Sequence, residues 1–134
     1  MPKYEKKREV DTRELSEDTI FALLSVERRR ELLRILERSG DEAPLADITA
    51  KIADREHGID SNPAKRKAVY VSLHQTHIPR LEEAGVLEHD VVNRIIRLTG
   101  PWKQLYAYLE FNPMLKKQGL LSRVFRPQGG RKTN

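Results

Sequence analysis

Between Lys65 and Leu98 the chain carries side chains able to hydrogen-bond base edges and phosphates. Lys65, Ala68, Ser72, Gln75 and Thr76 recur mainly at spacings of three and four residues, which puts them along one side of a helix. Gln can bond adenine bidentately, Ser and Thr can reach either base, and an Ala methyl can touch that of thymine. Lys65 and Lys67 add cations at the helix start, where phosphate would be met. Arg94 and Arg97 follow on a short apolar segment, and arginines so placed hold phosphates or enter a minor groove. Each has a plainer reading. The helix side could simply be solvated, and an arginine on the return strand could pair with Glu88 or Asp90 for only ~0.2–1 kcal/mol.

Other chemistries are less well supplied. His74 and His77 lie three residues apart on one helix, a metal-compatible spacing, but further ligands are scattered and there is no cysteine. A packed or capping role fits these histidines better, so neither metal nor cofactor is expected. Nothing places a Ser, His and Asp in a nucleophile elbow, and no glycine loop could cradle a phosphate, so the expectation is not an enzyme. Arg28, Arg29 and Arg30 make a basic run flanked by Glu27 and Glu31, either a phosphate contact or a salt-bridged solvated face.

The elements that must position these residues follow from periodicity and punctuation. Ser16 reads as an N-cap, with Leu15 and Ile20 at staple spacing, and Ser25 reads as a second N-cap. Leu32, Leu33, Ile35 and Leu36 form the next apolar face, which Gly40 ends. Pro44 opens a helix bearing Leu45, Ile48 and Ile52. A long helix starts after Pro63, with Val69, Leu73, His77, Leu81 and Ala84 in one stripe; Pro79 should kink it. Val71 and Ile78 fit neither side and would be exposed on an isolated domain, so either the N-terminal helix or a second subunit is expected to cover them. Gly85 stops the helix, and a hairpin follows: Val86 to Asp90, a Val91–Asn93 turn, then Arg94 to Leu98. A last helix runs from Trp102 to about Phe111.

This order predicts a mainly α chain with a small β-hairpin: a winged helix-turn-helix with extra N- and C-terminal helices. A hairpin cannot bury a face alone and must pack on the central helices. The predicted organisation is a flexible arm at 1–14, a folded domain at 15–111 and a basic tail at 112–134. The formal charge of +5 is concentrated in that tail, which holds six Lys/Arg and no acid, whereas 15–111 has fourteen Lys/Arg against sixteen Asp/Glu. A basic tail suits a polyanion, or plain solubility. No apolar run approaches a membrane span and no signal peptide is evident, so a cytoplasmic, nucleoid-associated location is expected.

Two segments resemble a family. Leu24 to Leu33, with Leu24-Ser25 and Arg28-Arg29-Arg30, resembles the "LSxxRRRxxL" helix opening of archaeal winged-helix proteins. His77-Ile78-Pro79-Arg80-Leu81 through Val86 is similar to their "HLPKLxxAGVV" recognition-helix end. With Tyr70, Gln75 and Thr76 between them, the similarity is to an uncharacterised winged-helix family common in haloarchaea, over roughly Glu17 to Glu110. The resemblance implies a double-stranded DNA-binding fold and a role in transcription regulation, with no implied operator or effector.

The leading expectation is therefore a sequence-specific regulator, its long helix in a major groove and its hairpin wing on backbone or minor groove. Trp102, Leu105, Tyr106 and Leu109 would supply a homodimer surface, or else close the monomer's own core. A protein-interaction adaptor and a non-specific architectural DNA binder are the alternatives.

Overall fold

A computed structural model of the chain describes residues 13–111. The tail expected at 112–134, and the arm up to residue 12, lie outside those residues. Helix α1 (Glu17–Leu24) begins at Ser16, whose hydroxyl accepts the Thr19 N–H at 3.1 Å. Ser25 does not cap the following helix. Its hydroxyl donates back to the Ala22 carbonyl at 2.8 Å, one of the orphan acceptors at the end of α1. Helix α2 (Glu27–Arg38) starts instead from Val26, without a side-chain cap.

Gly40 ends α2 in a left-handed conformation (φ 81°), and the next N–H, of Asp41, reaches the Leu36 carbonyl at 2.8 Å. The chain then forms a strand absent from the sequence reading, β1 (Glu42–Pro44). Pro44 closes this strand and precedes helix α3 (Leu45–His57) rather than serving as its first residue. A short 3-10 turn, Gly58–Asp60, leads to helix α4 (Pro63–Ser72). There the Asn62 side chain accepts the Lys65 N–H at 2.9 Å and Pro63 needs no partner for a donor it lacks.

The expected kink is a π-helical turn, Leu73–His77, running straight into α5 (Ile78–Glu83). Pro79 has no N–H to give the Gln75 carbonyl, and its ring crowds that carbonyl in an α-helix. Widening the turn by one residue relieves both, and Ile78 N–H bonds Leu73 O, five residues back. The extra residue also shifts the register. Ile78, placed off the core stripe by strict helical periodicity, is fully buried beside Val69, Leu73, His77 and Leu81 on the core side. Val71, before the turn, is exposed in the single chain.

Gly85 (φ 80°) closes α5: its N–H bonds Glu82 O and the Val86 N–H bonds Leu81 O. Strands β2 (Leu87–Asp90) and β3 (Ile95–Leu98) then complete a three-stranded antiparallel sheet in the order β1-β3-β2. Ala43 and His89 flank Ile96, while Glu42 and Glu88 flank Arg97. The described chain is thus mainly helical with one small antiparallel sheet. Its core is built from Leu32, Leu33 and Leu36 of α2, Ile48 and Ile52 of α3, Leu73, Ile78 and Leu81, and Ile96 of the sheet.

The chain divides into two compact units, Met1–Trp102 and Lys103–Asn134, so the boundary falls inside the last helix, α6 (Trp102–Phe111). Among the described residues, no helix is long and apolar enough to cross a membrane.

Candidate nucleic-acid interface

The fold uses some of its cations internally and leaves others facing solvent. Arg28, Arg29 and Arg30 belong to the first group. Arg28 forms a bidentate pair with Glu56 of α3, at 2.6 and 2.7 Å. These hydrogen bonds hold the Glu56 carboxyl below the usual carboxylate range.

Arg29 is buried and turns towards α1. Its guanidinium donates to the carbonyls of Leu23 at 2.8 Å and Ala22 at 3.0 Å, while Arg30 donates to Leu24 O at 2.6 Å. Two guanidinium groups thus satisfy the orphan carbonyls at the C-terminus of α1, where the helix dipole favours positive charge. The basic run is a clamp on a neighbouring helix. A sequence shows the run but not which carbonyls lie opposite it.

Arg97 is similarly engaged. The register puts it between two acids on the sheet, and it donates to Glu42 at 2.8 Å and to Glu88 at 3.4 Å. The cross-strand pairing with Glu88 was one of its two sequence readings. Glu42 could not be foreseen, because β1 was not.

Arg94 behaves differently. It lies in the turn rather than on the return strand, with a left-handed backbone (φ 59°), and it is exposed. Its carbonyl accepts the Leu45 N–H at 2.9 Å, which ties the turn to the start of α3. At the other end of the turn, Asp90 accepts both the backbone N–H and the side-chain amide of Asn93, at 3.0 and 2.9 Å. Those bonds hold the Asp90 carboxyl below its ordinary value and close the loop.

On the long helix, Lys67, Ala68, Gln75 and Thr76 are exposed, and Lys65 and Ser72 are half-buried. Gln75 and Thr76 fall inside the π turn, so their directions are set by that widened turn rather than by an α-helical extrapolation from Ser72. One arrangement was missed in the sequence. Tyr70 stacks on His74 (centroids 5.6 Å apart), and His74 meets the edge of His89 on β2 at 5.8 Å. The Glu82 carboxylate accepts the His89 N–H at 3.2 Å. These contacts tie the long helix to the hairpin.

His74 and His77, both inside the π turn, face different partners. His77 is buried, and its Nδ1 lies 3.2 Å from Arg29. Burial first, and then the nearby Arg29 charge, lower the His77 pKa. Among the described residues, no group of three or more His, Cys, Asp or Glu is placed to hold a metal ion. In α6, Trp102, Leu105 and Leu109 are buried within the single chain and Tyr106 is half-buried, whereas Phe111 is exposed.

Comparison with known proteins adds a family. A model described as "Domain of unknown function (DUF7344)" matches residues 21–97. The chain belongs to this DUF7344 family. The match runs from within α1 into β3 and so takes in the clamp, the π turn and all of the sheet but Leu98, and stops short of α6. No curated protein and no solved structure matches the chain.

Proposed function

We propose that this DUF7344 protein is a winged helix-turn-helix protein that binds double-stranded DNA sequence-specifically and regulates transcription. In this reading α4 and its π turn form the recognition helix, and the β2–β3 turn is the wing. The order α2, β1, α3, α4–α5, β2, β3 supports the winged-helix assignment, with α1 and α6 as additions. The observation that carries the function is the division of cations. Arg28, Arg29, Arg30 and Arg97 serve intramolecular partners, while the cations Lys67 and Arg94 face solvent on the long helix and the projecting turn, with the polar Gln75 and Thr76 exposed on the same helix. The similarity to archaeal winged-helix proteins supports it further.

An adaptor role is the second reading, favoured by exposed Tyr70 and Val71 on the same helix. A homodimer remains part of the proposal. In the single chain Trp102, Leu105 and Leu109 are buried, so the surface of α6 open to a second copy is that of Lys103, Ala107 and Phe111, with half-buried Tyr106 and Tyr108.

The deciding experiment is affinity for random and selected duplexes across a salt series, with the full chain and with residues 112–134 removed. A specific regulator keeps its preference without the tail, and each lost phosphate contact flattens the log–log salt slope by ~0.9. Equal affinity for all duplexes, lost with the tail, identifies architectural binding. No duplex binding even at low salt removes the DNA reading and leaves the adaptor.

A further inference from the structure

The long helix is weakest at its π turn. Pro79 has no N–H to return to the ladder, so the backbone there holds fewer of its own hydrogen bonds than an α-helix would. Besides apolar packing, a polar contact pins this stretch to the rest of the fold. His77, the last residue of the turn, is 8% exposed, and its Nδ1 faces the Arg29 guanidinium. Arg29 is anchored separately, by the carbonyls of Leu23 and Ala22 at the end of α1. The contact requires a neutral ring, because a guanidinium can only donate.

The surroundings offer no free counter-charge to a second proton on that ring. Arg29 and Arg28 act on His77 from α2, Arg80 from α5 and Glu56 from α3. Both Glu56 oxygens are already taken by Arg28, and the His57 ring lies 3.9 Å from one of them. Three cations and one engaged carboxylate thus surround a buried imidazole. Gln75 and Thr76 belong to the same turn and are exposed, so whatever moves His77 also moves them.

We propose that His77 is a proton-operated latch between the long helix and the α1–α2 corner. Neutral, it pins the π turn to Arg29. A proton from solvent takes the Nδ1 lone pair that Arg29 had used, while Nε2 keeps its own proton. The ring then leaves Arg29 for solvent, and the π turn loosens at the point where Pro79 has already interrupted the ladder. Arg29 stays on the α1 carbonyls, so the corner itself remains closed. The exposed side of the long helix is in this way made acid-sensitive, independently of what it binds.

The test is an NMR titration of the free full chain from about pH 7.5 to about pH 4.5, following ring and amide signals. The His77 ring should titrate below about 6.5, and the amides of Leu73 to Ile78 should shift with the same midpoint. Hydrogen exchange, corrected for its intrinsic pH dependence, should show those amides opening up to about tenfold more per pH unit between about 6.5 and that midpoint. Protection in α2 and in the sheet should not change. His77→Asn keeps an acceptor for Arg29 without a titrating ring and should abolish the amide response. Arg80→Gln, at an exposed position, removes one facing cation and should raise the midpoint of ring and amides together.

A ring that titrates while the π-turn amides stay still overturns the latch. So does an undiminished amide response in His77→Asn, or loss of the far-UV signal of the whole chain at the same midpoint. Should His77→Asn not fold, Arg80→Gln decides: a ring midpoint that moves without the amides refutes the coupling. Every readout is taken without a duplex, so the latch and the duplex-binding reading stand or fall separately.

Discussion

Nη1 of Arg29 lies 3.2 Å from Nδ1 of His77, joining the first turn of α2 to the π turn of the long helix. An arginine has only donors to offer, so His77 must accept at Nδ1 and carry its proton at Nε2. The same guanidinium caps α1, so three helical segments meet at one side chain. Protonating His77 would place a second cation against Arg29 and remove its acceptor.

The pH dependence follows from that geometry. His77 is held neutral by burial and by Arg29, so its folded pKa is below the ordinary imidazole value. The unfolded chain takes up the proton first as pH falls below about 6.5. The stabilisation is therefore complete above that pH and is lost as pH drops through the interval down to the folded value. We expect the urea midpoint to fall between pH 7.5 and pH 5.5, and His77→Asn, which keeps an acceptor without a titrating ring, to flatten that fall. Parallel pH profiles for the two proteins would refute it.

Neighbouring arginines should differ sharply in cost. Arg29→Met strands the Leu23 carbonyl and leaves the Ala22 carbonyl to Ser25 alone, and should destabilise the protein by about 1–3 kcal/mol. Arg28→Ala breaks a partly exposed pair with Glu56 and should cost about 1 kcal/mol or less. Chemical denaturation of both variants measures the contrast, and equal losses would mean the clamp on α1 contributes nothing special.

Arg94 and Arg97 should separate binding from stability. Arg97→Ala leaves Glu42 and Glu88 without their shared partner, and should lower the melting temperature while leaving the salt slope of duplex binding unchanged. Arg94→Ala should do the reverse, flattening the slope by up to ~0.9 with little change in melting. Gln75→Ala should relax sequence preference at one base position, read from a selected pool.

The π turn should be removable, but only together with its cause. Deleting Thr76 restores an α-helical count between Leu73 and Leu81, yet leaves Pro79 inside an α-helix at a cost of about 3 kcal/mol. Deleting Thr76 with Pro79→Ala should recover most of that loss, because Val69, Leu73, Ile78 and Leu81 keep their common side. Denaturation midpoints of the single and double variants decide it.

Much of this was legible in the chain. The helices announce themselves through three-and-four apolar spacing and caps such as Ser16 and Asn62, and the hairpin through Gly85 and the apolar pairs that follow. The misreadings have identifiable causes. Periodicity places Ile78 off the core stripe because it assumes one constant rotation per residue, which a π turn violates. Ser25 looks like an N-cap but bonds backwards, since an orphan carbonyl is as good a partner as an orphan N–H. Strand β1 is three residues ending in Pro44, too short to show alternation. The internal roles of Arg29, Arg30 and Arg97 depend on partners 6–7 residues away or across the sheet, and no local pattern encodes them.

The sheet has a last consequence. Its outer strands are poor templates for further strands: β1 is short and ends in a proline with no donor, and β2 spends the His89 N–H on Glu82. Copies of the chain at high concentration are thereby discouraged from zipping together edge to edge. Among the described residues, polymerisation by extending this sheet is disfavoured at both margins.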